Sequence, residues 1–111
     1  MAFDDITPKK LVNAEIPTTI GTLYTVQANE RVFVKDINLS NGNSSTVTVS
    51  LYLVDSGDSA DDSNHLLKDV EILGNDAVQI TGSQIIETGD TIQAVSDTTK
   101  VSLKISGGVA V

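Results

Sequence analysis

The chain has 111 residues, a formal net charge of −8, no cysteine and no tryptophan. That length fits one domain with a single thin core, and without cysteine no disulfide supports it. The acidity sets the chain against phosphate backbones and anionic lipid surfaces, so nucleic acid and membrane are not expected as partners.

Val, Ile and Thr make up about a third of the chain, the β-branched enrichment expected of strands. Aromatics are only 4%, so the core must be aliphatic. The first residues lack the basic-then-apolar pattern of a signal peptide, and no apolar run approaches transmembrane length. With the missing cysteines, this points to synthesis in a cytoplasm.

Residues 1–8 read as an N-terminal arm, with Pro8 and two acidic residues and little periodicity. Residues 9–16 form a first strand that ends before Pro17, which also holds Ile16 extended. Ile20, Leu23, Tyr24 and Val26 mark a second strand, with Gly21 as a bulge position, and residues 27–30 turn. In the third strand, 31–40, Val32 and Val34 share one parity, and Ile37 and Leu39 the other. The phase change predicts a bulge near Lys35-Asp36 or a bend between sheets.

Residues 41–45 open with Asn-Gly, the favoured pair of a tight hairpin. Strand 46–54 alternates Val47, Val49, Leu51 and Leu53 with Thr46, Thr48, Ser50 and Tyr52. One face is expected to be buried and one wet, with antiparallel pairing to 31–40. Residues 55–65 form a polar loop, with a short helical turn expected between Ser59 and Leu67. Strands resume at 68–73 and 77–81 around the turn 74–76, with a short strand at Ile85-Ile86. Strands 91–96 and 100–106 follow, and Gly107-Gly108 reads as a hinge before a tail, 107–111. Val47, Val49, Leu51, Leu53, Val101, Leu103 and Ile105 form the expected core.

About eight or nine short strands, with turn signals at regular spacing and no helical period, define the fold class. It is all-β: a single antiparallel, jelly-roll-like β-sandwich over residues 1–111.

No catalytic constellation interrupts this texture. Asp55, Asp58, Asp61, Asp62 and Asn64 could offer oxygen ligands to Ca²⁺, but their order does not match an EF-hand loop, and they read as a solvated turn. His65, the sole histidine, has no cysteine or serine elbow to act on. Glu15, Glu30, Glu71 and Glu87 could meet as a carboxylate pair, though no pair is favoured. Phe3, Phe33, Tyr24 and Tyr52 are few for sugar stacking. Basic residues are scattered apart from Lys9-Lys10. No metal, no cofactor and no enzymatic activity are therefore expected. The apolar terminal pieces, Met1, Ala2, Phe3 and Val109, Ala110, Val111, are the candidate assembly contacts. They can pack on their own sandwich or on a neighbouring subunit.

Three pieces in order carry a resemblance: Ile20-Gly21-Thr22-Leu23-Tyr24-Thr25-Val26-Gln27-Ala28-Asn29-Glu30-Arg31, Val47-Thr48-Val49-Ser50-Leu51-Tyr52-Leu53-Val54, and Glu87-Thr88-Gly89-Asp90-Thr91-Ile92-Gln93-Ala94. Together they resemble small virion proteins of tailed bacteriophages and prophages, over about residues 17–106. Gln27 stands where that pattern often has proline. The resemblance implies a virion structural role, most simply a capsid decoration or cement protein on the head exterior. It implies the major capsid protein as partner, self-association (a homotrimer favoured) and synthesis in the bacterial host cytoplasm. The alternatives are a neck, tail or fibre component, or a carbohydrate-binding module for host attachment. No active-site residues come with the resemblance.

Overall fold

The structure, a computed structural model, describes residues 6–61 and 63–110. Eight strands run in order: β1 (Ile6–Glu15), β2 (Gly21–Thr25), β3 (Arg31–Asn41), β4 (Val47–Val54), β5 (His65–Ile72), β6 (Ala77–Ile86), β7 (Thr91–Ser96) and β8 (Val101–Ala110). They form two four-stranded antiparallel sheets, β1-β8-β3-β6 and β2-β7-β4-β5.

The winding follows from a single long ribbon. β4 pairs with β5, β3 with β6, β2 with β7 and β1 with β8, so the chain doubles back on itself about the 55–64 loop. Alternate rungs of that ribbon go to alternate sheets. The pairings β3–β8 and β4–β7 then close each sheet. This is the jelly roll, two sheets wound as Greek keys.

Alternation places the core. Val32, Val34, Ile37 and Leu39 of β3 are buried, and so are Val101, Leu103 and Ile105 of β8. They meet Val47, Val49 and Leu51 of β4 and Ile92 and Ala94 of β7 in one aliphatic cluster. The phase change in β3 is a register shift between Val34 and Asp36, against both β6 and β8, so the bulge lies at Lys35. One extra residue keeps apolar side chains inward on both sides of it.

Several sequence expectations are corrected. β3 and β4 do not pair; they lie in different sheets, and of consecutive strands only β4 and β5 form a hairpin. A tight Asn-Gly hairpin needs positive φ at both residues, and neither Asn41 nor Gly42 has it. Asn41 is instead the buried last residue of β3, and its amide is tied to the β5–β6 connection. β1 begins at Ile6, so the arm is shorter than residues 1–8. The β2 bulge falls at Leu23, not Gly21. Residues 59–67 contain no helical turn among those described, because His65 already starts β5. Residues 77–86 form one strand, not two.

Gly107-Gly108 is not a hinge. Both glycines lie inside β8, opposite Lys9 and Pro8 of β1 and Val34 and Phe33 of β3. A Cβ on Gly107 would overlap the Phe33 carbonyl oxygen, so close strand approach requires glycine there. In β4 the parity is as expected, but Leu53 is only half-buried, while Ser50, Tyr52 and Val54 of the other face are also buried. Tyr52 and Val54 stand outside the main cluster, so the outer face of β4 is covered near the 55–64 loop rather than wet.

Candidate functional site

Residues 26–31, 54–56 and 87–91 meet at one end of the sandwich. Val26 N–H donates to the Asp90 carbonyl at 3.0 Å, and Gly89 N–H donates back to the Val26 carbonyl at 3.0 Å. The Thr88 hydroxyl bonds the Glu30 carbonyl at 2.9 Å. Arg31 Nε meets Glu87 Oε2 at 3.0 Å. The Asp90 carboxylate, nearly buried, accepts from Ser56 N–H at 3.0 Å and Glu87 N–H at 2.8 Å. Ser56 lies two residues past the end of β4, so Asp90 ties the 20–31 and 87–94 segments to the chain just beyond the third. Gly89 has φ +89°, a left-handed turn that favours glycine. These segments are strand-and-turn parts of one structural unit.

The candidate assembly residues divide. Met1, Ala2, Phe3 and Val111 lie outside the described residues. Val109 and Ala110 are buried in β8 against their own sandwich. Ile6 is the register partner of Ala110, and Ala110 is also opposite Arg31. The attachment points of residues 1–5 and 111 are therefore side by side, at the end where Arg31 and Glu87 meet.

The acidic loop is held by its own side chains. Asn64 Oδ1 accepts Asp61 N–H at 3.0 Å, and Asn64 Nδ2 donates to the Ser59 carbonyl at 2.9 Å. Ser63 donates to Asp61 Oδ1 from its backbone at 2.8 Å and from its hydroxyl. The hydroxyl first, then the backbone N–H, hold the Asp61 carboxyl below its ordinary value. Asp62 lies outside the described residues. Among the described residues, no three acidic or histidine groups converge as metal ligands. His65 is exposed, opposite Tyr52. Glu30 and Glu87 reach the same end of the sandwich, but Glu30 accepts Gln27 N–H at 3.1 Å and Glu87 is paired with Arg31.

The feature that sequence reading missed is a basic hollow of about 700 Å³ on the outer face of the β1-β8-β3-β6 sheet. Lys9, Lys10, Lys35 and Lys104, four of the chain's seven basic residues, line it, with Asp36 as its one acidic member. Basic residues are thus not scattered. Register produces the gathering: Lys104 of β8 lies between Asn13 of β1 and Asn38 of β3, and Ser106 between Lys10 and Asp36. No sequence signal joins Lys10, Lys35 and Lys104, because only the β1-β8-β3 order makes them neighbours.

No family model, curated protein or solved structure matches this chain.

Proposed function

We propose that this protein is a structural component of a tailed-phage virion, mounted on the head exterior as a decoration or cement protein. The observation that carries the reading is the convergence at one end of the sandwich. Of the three segments that resemble virion proteins, Asp90 joins 20–31 and 87–94 and holds Ser56, two residues past 47–54. The Ile6–Ala110 pairing sets the points where residues 1–5 and 111 attach side by side at that end. One composite surface can then bind the major capsid protein and sister subunits, with a trimer favoured. Burial of that apolar surface would stabilise the assembly by about 25 cal/mol per Å².

The test is the protein's copy number in purified virions, with imaging of the capsid surface. A number that tracks the capsomers, and heads that fail sooner on heating without the protein, are expected. Ring-like stoichiometry, with the protein on the neck, tail or fibre and absent from the head, overturns the decoration reading. Retention of the full chain on a sugar array, with none on heads, assigns it to carbohydrate attachment instead. Deleting residues 1–5 should weaken head binding more than it lowers the melting temperature of the isolated chain.

A further inference from the structure

We propose that the lysine-rimmed hollow on the outer face of the β1-β8-β3-β6 sheet is a docking site for an acidic segment of a partner protein. The hollow is built by the sheet itself. The register of β1 shifts at Leu11 and that of β3 at Lys35, so bulges flank β8 on both sides near Ser106. Paired bulges bend a sheet and re-aim its side chains. The floor between them is Ser106 and Gly107, where β8 passes so close to Phe33 that no side chain fits at Gly107. A concave floor without bulk is the result.

The charge of the hollow is opposite to that of the molecule. The chain carries −8, yet Lys10, Lys35 and Lys104 edge the hollow against one aspartate, Asp36. The side chains of Lys10 and Lys104 have neither a hydrogen bond nor an ion pair among the described residues. Lys35 reaches only a neutral group, the Ser83 hydroxyl at 2.9 Å. Lys9 lines the hollow but sends its ammonium to the facing sheet, 3.5 Å from the Tyr24 hydroxyl of β2. Lysines and a proline on edge strand β1 also discourage strand addition there, which leaves the face rather than the edge for binding. Like charge elsewhere does not prevent contact, since exposed charges beyond about 8 Å are screened at physiological ionic strength.

The lining selects the occupant. The ammonium groups belong to three different strands, so the ligand must present several separated charges. A compact anion calls for convergent donors, and bidentate recognition calls for arginine. No aromatic ring lines the hollow for sugar or base stacking. Flexible lysines suit carboxylates on mobile side chains, and Asn13, Asn38 and Ser106 offer neutral partners to peptide groups. An acidic polypeptide segment meets all these conditions. The inference stands on the hollow, independently of the virion reading.

The test titrates the ¹⁵N-labelled full chain with a short oligoglutamate peptide and follows amide shifts. Shifts confined to Lys10, Asn38, Lys104, Ser106 and their neighbours are expected, and they should collapse in high salt. Lys104→Glu should weaken binding about tenfold, the loss of one exposed contact plus a new repulsion. Lys100→Glu, the same change in net charge at a distant turn, should leave it unchanged. Unchanged melting temperatures for both variants show that the fold is intact. Equal weakening by the two reversals, or shifts spread over the surface, overturns the site. Equal binding of oligogalacturonate or single-stranded DNA overturns the assignment to a protein partner. Concentration-dependent shifts at the hollow without peptide assign it to the 55–64 loop of a second copy instead.

Discussion

Gly107 of β8 lies against the Phe33 backbone of β3, and a methyl group there would overlap the Phe33 carbonyl oxygen. Gly82 of β6, by contrast, has open space where a Cβ would lie. Gly107→Ala should therefore destabilise the fold by at least about 3 kcal/mol, because backbone rather than a side chain must move. Gly82→Ala should be neutral or stabilise by up to about 1 kcal/mol through the unfolded chain. Urea midpoints of the two variants check this, and equal midpoints would refute the close approach. Two polar side chains act as internal ties. Asn41 Nδ2 donates to the carbonyls of Ser45, Ile72 and Leu73 at 2.8, 3.0 and 3.1 Å, and Asp90 holds the other end of the sandwich. Asn41→Leu removes that amide from all three, with Asp76 N–H still serving the Leu73 carbonyl, and should cost about 1–3 kcal/mol. Asp61 is a surface case. Its lowered pKa gives stability that is present above the ordinary carboxylate value and lost as pH falls through the lowered one. Ser63→Ala keeps the backbone N–H donor and should move its titration part of the way back up, read by carboxyl NMR, with little change in midpoint because the group is exposed.

At the scale of the element, β4 shows how far alternation reaches. Val47, Val49 and Leu51 are fully buried, and Leu53 has the same parity but only half the burial. Leu51→Ala should cost about 2–5 kcal/mol, the range for a buried leucine whose site cannot collapse. Leu53→Ala should cost clearly less. Denaturant midpoints check this, and a loss below about 0.5 kcal/mol at Leu51 would place the strand in the wrong phase. The bulge in β3 was legible because Val34 and Ile37 break parity. The partner of β3 was not. Periodicity says which face of a strand is apolar, and it is silent about which other strand lies beside it.

At the scale of the molecule, the ribbon winding joins distant parts of the chain. β8 lies between β1 and β3, and β7 between β2 and β4. Neither sheet is complete until the last strands arrive. Deletion of residues 101–111 should therefore abolish cooperative unfolding, since it removes a central strand of one sheet. Refolding of the intact chain should take milliseconds to seconds, the range for folds dominated by non-local pairing. A full-amplitude microsecond phase in rapid mixing would contradict this.

The sequence by itself determined the class: short β-branched strands, their approximate bounds, the inward parity of β3, β4 and β8, and the polar turns. These are local properties, written in period-two alternation and in Gly, Asn and Asp. Tertiary structure decided the rest. It separated β3 from β4, because Asn41 is drawn into the interior instead of turning a hairpin. It drew Gly107, Val109 and Ala110 into β8, because strand pairing reached further than the apolar pattern did. It also set Lys10, Lys35 and Lys104 around one hollow. Residues so far apart in the chain become neighbours only through the order of strands in a sheet, and no local pattern encodes that order.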